Sequence, residues 1–347
     1  RVLFRSKMMK AIKINKPGEI YVSEIPDAKW KKGYAVIEVK ALGVCGSDVH
    51  AYAGKSPNVS YPLVIGHETA GIVVEVEDEN RYGIKKGDRV VLDPYLYCGT
   101  CYPCSQGRTN CCEKLEVLGV QTQGSMSRYF AHPLSHMVKV PDSMTWEELA
   151  VTEPLVIALH ALHSLKLKKG EHIVIIGAGA IGMLAGMAAL AYGGIPIMAD
   201  IVDQRLELAK TFGIKYTVNP QTEDAPRYIR EVTGGRMAEC VSEVSGSAAA
   251  VRNALDYAAP TGRVALTGWP NRPVELPTAV ITRKELQIVG SRTGTTEEFA
   301  EAAELISTGR VPAAKIISKI VSFEELPQAI AHLDACPGDW LKLIALL

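Results

Sequence analysis

The chain has 347 residues, more than the roughly 250–300 at which a single core stops growing, so two domains are expected. Apolar residues make up 47% and charged residues 22%, ordinary values for a globular protein that folds in water. Lys plus Arg, 38, equals Asp plus Glu, 38, and a chain with no basic excess is not built as a nucleic-acid binder.

In chain order, Arg1–Ser6 lacks a start Met, and Met8–Met9 follows almost at once; the segment reads as foreign, with the native start expected at Met8 or Met9. From residue 8 to about 155 the pattern is mainly β. Short alternating runs such as Ala35–Val39, Gly71–Val76 and Asp88–Leu92 are separated by Gly, Pro, Asp and Asn turns. This region carries Gly43-Val-Cys-Gly-Ser-Asp-Val-His50 and Gly66-His-Glu-Thr-Ala-Gly71, and it ends near Glu153-Pro154. One Cys (Cys45), one His (His67) and two carboxylates (Glu68, Glu153) make a mixed donor set with room for water or substrate. That is the composition of a catalytic zinc site rather than a structural one. Each residue alone is weak, since a buried Cys or His is more often plain core; the combination carries the reading.

Five of the eight cysteines crowd between Cys98 and Cys112. In Cys98-x2-Cys101-x2-Cys104-x7-Cys112, two-residue gaps let a turning backbone bring successive sulfurs onto one ion, and Gly99, Pro103 and Gly107 supply the turns. The fourth ligand comes from the end of the loop, where Cys111 and Cys112 compete. Four protein ligands leave no open coordination position, so this zinc orders a loop and does no chemistry.

From Ile173 to Ala199 there is no charged residue, long enough to span a bilayer. Its six glycines, with Gly193-Gly194 and Pro196 near the end, fit a strand–turn–helix–strand better than a membrane span. Ile173–Ile176, 180–192, Ile195–Ala199 and Gln204–Phe212 alternate strand and helix, the pattern of βαβ units on a parallel sheet; Cys240–Val244, Val264–Leu266 and Leu286–Val289 continue it. Gly177-Ala-Gly179-Ala180-Ile181-Gly182 falls between the first strand and its helix, where a dinucleotide-binding turn belongs. Gly177 permits the tight turn, Gly179 lets the pyrophosphate approach the backbone, and Gly182 lets helix and strand pack closely. Asp200 ends the next strand, about 20 residues on, where an acid accepts hydrogen bonds from the adenosine ribose. Asp203 adds negative charge, so NAD is expected over NADP. Arg205 points the other way, since an Arg here can bind a 2′-phosphate; it reads better as a solvated helix residue, paired or not with an acid. After Ser291, Thr295-x-x-Glu298 and Ser322-x-x-Glu325 look like capping boxes that open helices, as does Thr145-x-x-Glu148 earlier, and Gly309 closes the first.

These segments, in this order, resemble the medium-chain zinc alcohol dehydrogenases over nearly the whole chain from Met9. The fold so implied is α/β: a GroES-like β-rich catalytic domain (8–155), a Rossmann doubly wound parallel-sheet domain (156–291) and a C-terminal segment (292–347) that returns to the first. By the same resemblance Cys45, His67 and Glu153 are the catalytic zinc ligands, and Glu68 is the nearby carboxylate that can replace water on the metal. Cys112 is then the fourth structural ligand, and Ser47 and His50 relay the proton of the substrate hydroxyl. Two zinc ions per chain, NAD, a small-molecule substrate, a homodimer or homotetramer, no membrane and a cytoplasmic location complete the expectation.

Glu153 stands where ethanol-type members carry a Cys and is similar to polyol and sugar dehydrogenases. Gly107-Arg-Thr-Asn-Cys-Cys-Glu113, Leu118-Gly-Val120 and Gly290-Ser-Arg-Thr293 with Phe299 resemble L-galactonate and L-gulonate 5-dehydrogenases. The implied reaction is oxidation of a secondary alcohol of a sugar acid or polyol. An aldonate needs a cation for its carboxylate; Arg292, then Arg128, is the candidate, and a surface role competes for each. Alternatives are an L-threonine, galactitol-phosphate or aliphatic alcohol dehydrogenase, or a non-catalytic NAD-binding zinc protein. The last has no need of Cys45, Ser47, His50, His67 and Glu153 together.

Overall fold

The computed structural model describes residues 8–347, so the segment read as foreign, Arg1–Ser6, lies outside the described residues. Two compact units are present. One comprises residues up to Glu153 together with Thr295–Ser307 and Ile316–Leu347; the other comprises Pro154–Gly294 and Thr308–Lys315.

The first unit is β-rich. Glu19–Pro26, Met8–Lys16 and Leu63–Val64 form one antiparallel sheet. A larger sheet runs Met137–Lys139, Arg89–Leu92, Glu68–Glu75, Tyr34–Val44, Leu343–Leu346, Lys319–Ser322, with Tyr129–Pro133 also on Tyr34–Val44. Alternate residues of the long strand Tyr34–Val44, among them Ala35, Ile37 and Val39, enter a core shared with Ile12, Leu92, Met126 and Leu326. The C-terminal strand Leu343–Leu346 pairs antiparallel with that same strand, Leu343 opposite Val44, so the chain's last residues return to its first domain. The alternating run expected to begin at Gly71 begins earlier, at Glu68. Glutamate has little β-propensity of its own. Its place in the strand is fixed by pairing opposite Gly43.

The second unit is a six-stranded, wholly parallel sheet in the order Tyr216–Val218, Ile195–Ala199, His172–Ile176, Ala238–Glu243, Ala258–Leu266, Gln287–Gly290. This is the 3-2-1-4-5-6 order of the dinucleotide-binding fold. Its central strands Ile195–Ala199 and His172–Ile176 are near-continuous apolar runs, as expected of parallel strands covered on both faces. The helix Ala180–Ala191 is buried along most of its length, which explains why it is apolar all round. No helix among the described residues is long and apolar enough to cross a membrane.

Two of the three expected capping boxes are formed on both sides, and at Thr295 the glutamate half is in place. Thr145 and Glu148 open Trp146–Ala150, Glu298 accepts the Thr295 N–H ahead of Thr296–Ser307, and Ser322 and Glu325 open a 3-10 turn that runs into Leu326–Ala335. The strand Tyr216–Val218 was not anticipated. It is a three-residue edge strand, too short to show an alternation, and its pairing with Ile197–Ala199 is what defines it.

Candidate metal and cofactor sites

Cys45 caps the short helix Gly46–Tyr52, and His67 lies just before the strand Glu68–Glu75. Asp48 joins the two segments. Its buried carboxylate accepts the Cys45 N–H at 2.9 Å and the Gly66 N–H at 3.2 Å, so the residues beside both donors hang from one side chain. Cys45 Sγ, a His67 ring nitrogen and a Glu68 oxygen then lie within 4.8 Å of one another. His67 Nδ1 is buried with no hydrogen-bond partner, which is costly unless a ligand satisfies it. A soft thiolate, an imidazole and a carboxylate suit zinc. The residues present therefore fit the metal.

Glu68 reaches this position because Gly43 opposite it has no side chain; a Cβ there would collide with the Glu68 carboxylate and crowd the Ala150 carbonyl. The carboxylate is ion-paired with Lys342, whose ammonium also donates to the Val44 carbonyl at 3.1 Å. Lys342 is 4% exposed. Burial opposes its charge, but Glu68 and then Cys45 outweigh burial and hold its pKa above the lysine norm.

Glu153 sits at the start of the helix Thr152–Leu165, outside the tight Cys45–His67–Glu68 group, with Oε1 accepting a hydrogen bond from the Tyr95 hydroxyl. Burial pushes its carboxyl up to about 7, Glu68 adds to the rise, and His67 and Tyr95 pull against it. Tyr95 is itself anchored: its N–H donates to Asp93 Oδ1 at 3.0 Å, and Asp93 Oδ2 accepts from the Thr296 hydroxyl at 2.5 Å. Asp48, Tyr95, Asp93 and Lys342 were missed in sequence reasoning. Asp48 had a local signal, its capping-box spacing from Cys45. Lys342 had none, being 274 residues from Glu68.

Ser47 and His50 lie three apart on Gly46–Tyr52 and so share a helix face, Ser47 half-buried and His50 exposed.

The second metal group is local. The sulfurs of Cys98, Cys101, Cys104 and Cys112 converge within 4.8 Å, and Cys111 stands outside the group. Backbone N–H groups of Thr100 and Cys101 point at the Cys98 sulfur, each at 3.4 Å, and those of Cys98 and Lys114 at the Cys112 sulfur, each at 3.3 Å. Donors aimed at sulfur favour the thiolate form that zinc needs. Hydrogen bonds from the Thr100 N–H and hydroxyl and the Cys101 N–H bring the Cys98 thiol down to about 6.

In the parallel-sheet unit, Gly177 has φ +111°, a conformation few other residues adopt. A Cβ on Gly182 would strike the Gly177 carbonyl, and a Cβ on Gly179 would meet nothing within 4 Å. The turn is thus closed on its inner side and open at Gly179. Ala180 and Ile181 start the helix Ala180–Ala191, whose N-terminal amides face this opening. Asp200 Oδ2 accepts the Ala178 N–H at 2.6 Å and Oδ1 accepts the Val202 N–H at 2.8 Å, which pins the carboxylate beside the glycine turn. Asp203 accepts instead from the Asn219 amide at 2.7 Å. Arg205 is half-buried on Asp203–Thr211 and makes no ion pair among the described residues. Arg292 and Arg128 are exposed, and the Arg128 guanidinium lies 5.9 Å from the Tyr129 ring centroid.

Residues 31–142 match the alcohol dehydrogenase GroES-like domain, and residues 180–308 match the zinc-binding dehydrogenase domain. A zinc-type alcohol dehydrogenase-like protein of Haemophilus influenzae is 50% identical, with 97% of this chain and 98% of that one covered. The L-galactonate-5-dehydrogenase of Escherichia coli is 32% identical, with 85% and 86% covered. Among solved structures, an Escherichia coli alcohol dehydrogenase with NADH superposes with a TM-score of 0.89 at 30% identity, covering 98% of this chain and 99% of that one. A Sinorhizobium meliloti zinc-binding dehydrogenase with NADP gives 0.91 at 29% identity, covering 98% and 100%. The chain belongs to the medium-chain zinc alcohol dehydrogenase family.

Proposed function

We propose that the protein oxidises a secondary alcohol of a small sugar acid or polyol to the ketone, with NAD as hydride acceptor. L-galactonate or L-gulonate oxidised at C5 is the first substrate to try. The observations that carry the reading are the convergence of Cys45, His67 and Glu68, with Glu153 on the neighbouring helix end, and the buried His67 Nδ1 that has no hydrogen-bond partner. In this reading Cys45, His67 and Glu153 hold a catalytic zinc, with Glu68 as the nearby carboxylate that can replace water on the metal, and Cys98, Cys101, Cys104 and Cys112 hold a structural one.

Bound zinc supplies a Lewis acid that lowers the pKa of the alcohol. Ser47 takes the hydroxyl proton, and the exposed His50 on the same helix face passes it to solvent. Tyr95 orients Glu153, Lys342 fixes Glu68, and Asp48 holds both donor-bearing segments in register. In the second unit Gly177–Gly182 cradles the pyrophosphate, and Asp200 accepts the ribose hydroxyls and repels a 2′-phosphate. Arg292 binds the substrate carboxylate in the aldonate reading. The working form is a homodimer or homotetramer in the cytoplasm.

The test is a panel of aldonates, polyols, threonine and simple alcohols with NAD, beside a metal count per chain. Turnover of aldonates or polyols with two zincs supports the proposal. Preference for threonine or simple alcohols overturns the substrate class. One zinc and no turnover returns the chain to a non-catalytic NAD-binding protein. An unchanged KM for an aldonate in Arg292→Ala removes Arg292 from the pocket.

A further inference from the structure

Outside these centres, one more group of unlike donors converges. The helix Leu326–Ala335 carries His332 in its last turn, Cys336 follows as its cap, and Asp339 lies in the loop beyond. The Cys336 N–H donates to the His332 carbonyl at 2.8 Å and the Asp339 N–H to the Cys336 carbonyl at 3.2 Å, so the chain turns back on itself and collects all three side chains. One donor atom from each lies within 4.8 Å of the others.

We propose that His332, Cys336 and Asp339 form a third, solvent-facing metal site for a borderline-soft divalent ion such as Zn2+, Co2+ or Ni2+. An imidazole paired with a carboxylate is an ordinary surface feature, and His332 Nε2 does lie 2.8 Å from Asp339 Oδ2. The ion pair gives no reason for a thiol within the same radius, whereas a metal needs all three. Metal–donor bonds of about 2.0–2.3 Å place neighbouring ligands about 3.3–3.8 Å apart in a tetrahedron. Surface side chains reach that from the observed spacing by small rotations. The imidazole is held in place by stacking on Trp340, with ring centroids 4.6 Å apart and planes 30° off parallel, so little freedom is lost on binding. Sulfur and nitrogen donors select against Mg2+ and Ca2+, which take oxygen. Because the His332 and Asp339 side chains are 40% and 51% exposed, water fills the fourth position. Occupancy requires the thiol and imidazole to lose their protons, so binding weakens as pH falls.

The full-length protein with its resident zinc is alkylated with iodoacetamide at fixed pH, with and without added Zn2+, and the Cys336 peptide is followed by mass spectrometry. Zn2+ should slow Cys336 alkylation and Mg2+ should not. His332→Ala and Asp339→Asn should lose the protection, weakening Zn2+ by more than the about 10–100-fold that an outer-shell partner is worth. Equilibrium dialysis should show one extra Zn2+ equivalent in the native protein and none in His332→Ala. Dehydrogenase activity, which does not depend on this group, reports that both variants are folded. A Cys336 rate insensitive to Zn2+ overturns the proposal. So does equal protection by Mg2+, or equal protection in the two variants.

Discussion

Replacing Lys342 by Met tests whether the buried pair with Glu68 holds the candidate active site together. Both side chains are almost completely buried, 3% and 2% exposed. Removing one partner leaves an uncompensated carboxylate in the interior, which costs about 3–5 kcal/mol, against about 0–1 kcal/mol for a surface pair. For a unit of this size about 1 kcal/mol moves the melting temperature by about 2–4 °C, so the transition of the β-rich unit should fall by about 6–20 °C. The lysine pKa is raised in the folded protein, so the stability that its charge contributes is fully present below the unfolded lysine value, about 10.4. It is lost only as pH rises through the higher folded value. The deficit of Lys342→Met should therefore be flat from neutral pH to about 10 and shrink above it. Denaturant unfolding of the zinc-loaded protein, Lys342→Met, Glu68→Gln and the double variant completes a thermodynamic cycle. The double variant should recover at least about 1 kcal/mol of the loss, because it leaves no lone charge. A deficit below about 1 kcal/mol in Lys342→Met, or strict additivity in the cycle, would refute the reasoning.

Three other outcomes follow from the same geometry. Glu153 has its carboxyl raised to about 7 by burial, and an acid must ionise before it holds a cation; zinc retention on dialysis should drop as pH falls through about 7, and Glu153→Gln should lack that step. In the zinc-free protein the sign is reversed: with its pKa raised by burial, Glu153 contributes stability that is fully present below the usual carboxylate range and is lost as pH rises through about 7. Asp200→Ala should lower kcat/KM for NAD by about 10–100-fold, the worth of a charged hydrogen bond, and narrow the gap to NADP; a native preference for NADP would sink the assignment. His50→Ala should slow alcohol oxidation most at low pH, and an unchanged pH–rate profile would remove His50 from the relay.

Much of this protein was legible without a structure because its informative signals are local. The four cysteines 98, 101, 104 and 112 sit on one loop, so spacing alone groups them. The choice between Cys111 and Cys112 is different. Spacing leaves both open and the family resemblance favours Cys112; in the folded loop it is the Cys112 sulfur that joins the group. The turn Gly177–Gly182 and the acid Asp200 were readable for a similar reason, since one βαβ unit spans them and the strand–turn–helix pattern fixes the geometry.

The catalytic candidates mark the limit. Sequence names Cys45, His67, Glu68 and Glu153 as donors of the right kind, and family resemblance gives them roles, but neither says what holds them. That was decided by pairings between distant strands. Gly43 opposite Glu68 opens space for a carboxylate, and Leu343 opposite Val44 delivers Lys342 to it from the other end of the chain. Asp48 completes the capping box at Cys45 and is also the cross-link between the two donor segments. The sequence by itself determined which chemistry is present, because donor types and turn residues are properties of single positions and short spacings. The tertiary structure decided which charges are paired and which donors converge, because those depend on strand register across hundreds of residues, and no local pattern encodes it.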